Sequence, residues 1–217
     1  MINSIYQKLL NHFGEQGWWP TINPKTGKIE YHSKRHIDEN KRFEIILGAI
    51  LTQNTSWKNA EKAILNLRKN KLLSKEKLNK IPVKKLSSLI KSSGYYNQKA
   101  RKIKEFLAYK GLMKRQKLLG IWGLGPETVD SILLYAYNRP VFVIDSYTKR
   151  IFSRLMPQTS KLKTYEGWQK FFESKLPKNA ELFKEYHALI VHLAKENCRK
   201  NPECVSCPLR EQCKSFR

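Results

Sequence analysis

Apolar residues return along this chain every three or four positions. Ile5, Leu9 and Phe13 form one stripe, and Ala60, Ala63, Ile64 and Leu67 another. Val83, Leu86, Leu89 and Ile90 form a third, Ala100, Ile103 and Leu107 a fourth, and Leu182, Tyr186, Leu189 and Leu193 a fifth. That spacing predicts helices, because a 3.6-residue turn brings those positions onto one face. FEIILGAIL, residues 43–51, is apolar nearly all round, which predicts a central helix buried on every side. PVFVID, residues 140–145, is the one tempting strand. It is short and isolated, so an extended link between helices is expected, and the fold class is all-α. Residues 21–40, TINPKTGKIEYHSKRHIDEN, carry Pro24 and Gly27 and little periodicity. Loops of that length are usually functional or mobile. No internal repeat is present.

GIWGLGPETVD, residues 120–130, is a tight glycine turn between two helical patterns. KRQKLLGIW precedes it, and Val129, Ile132, Leu133 and Ala136 form the stripe that follows. Glycine accepts positive φ and lets another backbone approach, and Pro126 suits the first position of a helix. Backbone N–H groups at such a turn, around Gly123 and Gly125, can hold a phosphate without reading bases. An ordinary corner between two helices would use the same residues.

Composition adds a partner. The 217 residues are enough for one large domain or two small ones. They hold 42 Lys+Arg against 18 Asp+Glu, a formal charge of +24. A polyanion is the simplest partner for that excess, and nucleic acid the commonest polyanion. Lysine decorating solvated faces would give the same count. No signal peptide and no apolar run long enough for a bilayer are visible, so a soluble cytoplasmic protein without a membrane partner is expected.

All four cysteines, Cys198, Cys204, Cys207 and Cys213, fall in the pattern C-x5-C-x2-C-x5-C near the C-terminus. So tight a cluster in a cytosolic chain points to a metal rather than disulfides. Tetrahedral zinc and a [4Fe–4S] cluster both suit four thiolates.

Together, helix–GLG–helix followed by PVFVIDSYTKRI resembles the helix-hairpin-helix–Gly/Pro–Asp signature of the endonuclease III superfamily of DNA base-excision glycosylases. The resemblance runs from about Phe43 to the C-terminus and is carried by LTQNT, GYYNQKA, GLGPETVDSILL, VFVID and the cysteine cluster. It implies a two-domain helix-hairpin-helix DNA glycosylase fold with a C-terminal iron–sulfur loop. Residues 40–137 would form the central helical barrel, ending in the hairpin. Residues 1–39 and 138–217 would form the second domain, with the cluster loop at 198–213. Duplex DNA containing a damaged base would bind in the cleft between the domains, to a monomer associated with the nucleoid. The resemblance also favours [4Fe–4S] over zinc, although the family's usual first gap is six residues rather than five. If that segment is helical, the shift turns Cys198 about 100° around the helix.

Lesion glycosylases must extrude a base from the stack. Asp145 stands at the signature aspartate and is the expected catalytic carboxylate, stabilising an oxocarbenium-like transition state and orienting or deprotonating water. It also suits the cap of the next helix. Trp57 falls where bifunctional endonuclease III carries an aspartate, and indole faces attract cationic π-systems. GWWP with this tryptophan resembles the 3-methyladenine DNA glycosylase III branch. Carried over, Trp18, Trp19, Pro20 and Trp57 would line the base pocket, with Glu127 assigned to it as well. Core packing is the other reading of the paired tryptophans. Gln53 and Asn54 would fill the gap left by the flipped base, or simply end a buried helix. Lys149 is expected at DNA phosphates, as are Lys99, Arg101 and Arg150. In the bifunctional branch a lysine directly precedes the threonine of the hairpin's second helix; here Glu127 precedes Thr128. A carboxylate cannot form the Schiff base, so base release by water, without strand cleavage, is expected. The chain thus reads as a monofunctional glycosylase for alkylated, cationic bases such as 3-methyladenine. An endonuclease III-like glycosylase/lyase for oxidised pyrimidines and a non-catalytic DNA-binding protein on the same scaffold are the alternatives.

Overall fold

The structure is a computed structural model that describes residues 1–31 and 37–216. In chain order its helices are α1 (Ile2–Phe13), α2 (Glu39–Leu51), α3 (Trp57–Lys69), α4 (Lys75–Lys80), α5 (Val83–Leu89) and α6 (Tyr96–Ala108). They continue with α7 (Arg115–Leu119), α8 (Pro126–Ser131), α9 (Ser146–Leu155), α10 (Tyr165–Glu173) and α11 (Ala180–Glu196). A π-helical turn, Ile132–Ala136, extends α8. Side chains cap several of the starts: Asp38 accepts from Lys41 N, Thr164 from Gly167 N and Asn179 from Leu182 N.

The all-helical expectation meets one exception. Thr21–Ile22 (β1) and Ile29–Glu30 (β2) pair as a two-stranded sheet. The turn joining them is built by Asn23, whose Oδ1 accepts from Lys25 N and Thr26 N, and by Gly27 at φ 76°. Two-residue strands are too short to show an alternation in sequence. Of the rest of the expected long loop, residues 32–36 lie outside the described residues, and Glu39 and Asn40 belong to α2, which starts earlier than the apolar run because Asp38 caps it.

The described chain groups into two compact units. The first comprises residues 1–20, 30–31 and 138–216. Its core is an aromatic cluster in which Phe142 stacks on Phe172 at 4.4 Å, while Phe183 and Tyr186 meet Phe142 edge-on. Tyr186 on α11 donates its hydroxyl to Ile2 O on α1 at 2.8 Å. Residues 140–145 run extended with Phe142, Val143 and Ile144 buried, yet join no sheet. Side chains of α10 replace a partner strand: Glu173 accepts from Phe142 N at 2.8 Å, Gln169 donates to Phe142 O at 2.8 Å, and Tyr165 Oη accepts from Ile144 N at 3.2 Å. Buried backbone groups need such partners wherever a ladder is missing.

The second unit comprises residues 21–29 and 37–137. Residues 21–29 group here rather than with the first 20 residues. The reason is polar: Glu44 accepts from Ile22 N at 2.6 Å, and Arg68 donates to Asn23 O and Pro24 O at 2.9 Å each. Helix α2 is buried at every position from Phe43 to Leu51 and packs against α3, α6 and α8 with its π-helical extension. Of the stripe opening α5, Val83 is exposed at 45%, since it sits in the first turn after Pro82.

Burial pushes the Glu44 carboxyl up to about 7, although Ile22 N–H, Arg68 and Lys41 oppose the shift. A folded pKa raised above the unfolded value means that the associated stability is complete below about pH 4.5. It is then lost as pH rises through 7. The whole span is worth about 3 kcal/mol. Glu44→Gln should therefore melt with little dependence on pH across this window, relative to the parent chain. Parallel thermal melts between pH 4 and 8 would expose the error.

Candidate active site

Asp145 ends the extended segment and begins α9. Its Oδ1 accepts from Thr148 N at 2.6 Å and from Thr148 Oγ1 at 2.7 Å. Its Oδ2 lies 3.6 Å from His187 Nε2 on α11. Capping therefore occupies one oxygen and turns the other toward the imidazole, so the two expected roles of Asp145 are geometrically compatible. The residue is buried, at 8% exposure. Burial alone would raise its pKa, but His187 and the two Thr148 donors outweigh it and hold the carboxyl below its ordinary value. His187 was missed in the sequence. The available signal was its place beside Tyr186 on the apolar face of α11, where a polar ring needs a partner.

The hairpin is assembled within the second unit. Arg115 on α7 grips Asp130 on α8 with Nε–Oδ1 at 2.8 Å and Nη2–Oδ2 at 3.1 Å. This bidentate pair, with Asp130 fully buried, joins the two helices across the turn. Gly123 has φ 79°, and a Cβ there would come within 2.5 Å of Lys102 Cε. A larger residue there would be strained and would have to displace the Lys102 stem. Gly125 adopts an extended conformation open to any residue, and an added Cβ would meet nothing within 4 Å. Glu127 stands exposed in the first turn of α8, and Thr128 is buried.

Gln53, just beyond α2, reaches this hairpin. Its Nε2 donates to Gly123 O at 3.2 Å and Thr128 Oγ1 at 2.8 Å, while its Oε1 accepts from Lys102 Nζ at 2.5 Å. Asn54 is exposed at φ 52°, a conformation asparagine tolerates. Trp57 opens α3 half-buried in the same unit. Among the expected phosphate contacts, Lys99 is corrected. It is 1% exposed, and its amine donates to Leu51 O at 2.8 Å and to Ser93 O, closing the end of α2. Burial pushes its pKa down to about 8. Arg101 lies over the exposed Trp122 ring at 4.0 Å.

In the first unit, Trp18 and Trp19 are neighbours at 5.4 Å, and Trp18 also meets Tyr31 at 5.8 Å. Trp19 and Pro20 are buried, while Trp18 is half-buried, with the Lys195 amine 5.9 Å from its ring centroid. Lys149 is half-buried on α9. Arg150 is committed to main chain, donating to Cys198 O at 2.9 Å and Ala194 O at 3.2 Å.

Cys198, Cys204, Cys207 and Cys213 line a single cavity of about 140 Å³, walled by Ile151, Leu155, Leu193 and Leu209. Burial and then the other three cysteines push the Cys207 thiol up, whereas a backbone hydrogen bond involving Leu209 opposes them. Arg154 donates to Cys198 Sγ at 3.3 Å and to the carbonyls of Arg199 and Lys200. Cys198 lies beyond the end of α11, so the missing residue in the first gap does not rotate it around a helix. Among the described residues, no three thiol, imidazole or carboxyl groups come together as a site for one metal ion. Four thiols on one apolar-walled cavity, with an N–H donor to sulfur, are nevertheless the donor set that a larger cluster uses.

Residues 47–178 match the family of HhH-GPD superfamily base excision DNA repair proteins. A Methanocaldococcus jannaschii protein named as a candidate DNA repair glycosylase is 42% identical over 99% of this chain and 96% of its own length. Endonuclease III of Thermotoga maritima is 29% identical over 84% of this chain and 87% of its own. Among solved structures, a non-covalent endonuclease III–DNA complex aligns with TM-score 0.79, 20% identity, and coverage of 99% of this chain and 94% of the other. The H. pylori 3-methyladenine DNA glycosylase bound to 1,N6-ethenoadenine aligns with TM-score 0.67 and 25% identity, covering 89% and 94% of the two chains.

Proposed function

The chain belongs to the HhH-GPD superfamily of base excision DNA repair proteins, and from that premise we propose that it is a monofunctional DNA glycosylase for alkylated, cationic bases. The observation that carries the reading is Asp145: a buried carboxylate kept ionised, with one oxygen tied by Thr148 and the other facing His187. An anion so held stabilises positive charge developing on the sugar as the glycosidic bond lengthens, and can orient or deprotonate the water that attacks it. A base alkylated on a ring nitrogen is already a good leaving group and needs little protonation. The indole faces of Trp18 and Trp57 suit such a cation, at a gain of about 0.5–2 kcal/mol per face. Trp19 and Pro20 support Trp18 in this reading. Glu127 lacks the amine that a lyase needs, so water is the nucleophile and the abasic strand is left intact. Gln53 and Asn54 fill the vacated stack, and the Gly123–Gly125 turn with Lys149 meets the phosphates of duplex DNA.

Mass spectrometry of bases released from methylated and oxidised duplex DNA, with borohydride present in a parallel reaction, tests this assignment. Release of methylated purines without strand cleavage or a covalent adduct is expected. Release of oxidised pyrimidines with an adduct that disappears on changing one lysine would replace it with the glycosylase/lyase reading.

Cys198, Cys204, Cys207 and Cys213 would hold a [4Fe–4S] cluster, which supplies a rigid crosslink to the C-terminal loop rather than a reacting centre. Metal analysis of the purified protein should give about four iron atoms per chain and a broad visible absorbance. One zinc and no iron would reverse that assignment.

A further inference from the structure

The expectation that Gln53 ends a helix or fills a gap leaves open how a flexible amide is kept ready for either. Lysine can only donate and a backbone carbonyl can only accept. Lys102 on one side and Gly123 O on the other therefore determine which way the Gln53 amide faces: Oε1 to the amine, Nε2 to the hairpin. The Lys102 stem supports this arrangement, since it fills the space where a Cβ on residue 123 would stand. Three segments distant in sequence — the turn after α2, helix α6 and the hairpin — thus converge on one side chain. The sequence had singled out Lys99 and Arg101, both just before this position, not Lys102.

We propose that Lys102 is a positioning residue for base extrusion: it orients the Gln53 amide against the hairpin, so that this side chain enters the duplex pre-aligned when the target base leaves. This rests on the assignment of Gln53 as gap filler. Preorganisation of this kind acts on the rate at saturation rather than on association, because the wedge enters the duplex only after the DNA is bound, as the target base leaves.

Lys102→Met retains a stem beneath Gly123 and removes the amine; Gln53→Ala and the double variant complete a cycle. Two readouts are used on the full chain. The first is the NMR signal of the Gln53 side-chain NH2, which needs no DNA. The second is fluorescence of 2-aminopurine next to an abasic-site analogue, followed with single-turnover base release at saturating enzyme. The expected result is a shifted and more rapidly exchanging Gln53 NH2 in Lys102→Met. Extrusion and base release should fall about tenfold with duplex affinity changed less than about threefold, and the double variant should be no worse than Gln53→Ala. An unchanged Gln53 signal overturns the proposal. So do losses that multiply in the double variant, or a loss confined to affinity with the salt slope reduced by about 1, which would make Lys102 an ordinary phosphate contact. Wild-type extrusion in Gln53→Ala would remove the gap-filling role and the proposal with it. Failure of the parent chain to release any base, with the NMR and extrusion changes intact, would instead overturn the glycosylase reading alone. If Lys102→Met melts below the assay temperature, Lys102→Gln in the same cycle is read by the same criteria.

Discussion

Asp145→Asn is expected to lower base release by about 10²–10³-fold while leaving duplex affinity nearly unchanged. Asparagine keeps an oxygen that can accept from Thr148 N, and it is as good a helix cap as aspartate, so α9 should still begin where it does. What disappears is the negative charge that the proposed mechanism sets against the sugar. The depressed pKa of Asp145 adds a second, independent signature. A carboxyl whose folded pKa lies below the unfolded one contributes stability that is present above the unfolded value, about 3.9. That stability is lost as pH falls through the folded value. Parent and variant should therefore differ most in melting temperature near neutrality and converge in strong acid. Base release by the parent should persist in mild acid, down to the point where the fold itself gives way. Equal losses of binding and release in the variant would mean that Asp145 only holds α9.

The second large effect concerns the hairpin. Asp130→Ala should destabilise the protein by about 3 kcal/mol, near the lower end for breaking a buried ion pair because Arg115 retains some access to water. At this chain length that corresponds to a fall of about 6–12 °C in melting temperature. Pairing the change with Arg115→Met should recover part of the loss, since the charge that Asp130 balanced is then removed as well. Denaturant unfolding of the parent, the single and the double variant measures both steps. A single variant within about 0.5 kcal/mol of the parent would show that the α7–α8 clamp does not hold the hairpin.

The sequence made the helices legible because their signal is local. The apolar stripes of α3, α6 and α11 and the continuous run of α2 each need only a few turns of chain to declare which face is buried. Asp145, the glycine turn and the four-cysteine spacing were visible for the same reason: each is a short string whose residue types limit what it can do. The paired strands β1 and β2 were not visible, because two residues cannot establish a period. Lys99 was misread because composition says only that lysine is usually solvated. Two main-chain carbonyls at the end of α2 make this one an exception.

The sequence by itself thus determined the helices, the position of the hairpin and the chemical type of the central carboxylate and of the thiol set. Tertiary structure decided the partners. It set His187 beside Asp145 across 42 residues, Lys102 against Gln53 across 49, and α10 side chains along the extended segment before Asp145. The physical reason is that burial of an apolar face needs only bulk and period, whereas a buried polar group needs one specific donor or acceptor within about 3 Å. Such a partner can come from anywhere in the chain, and only folding brings it there.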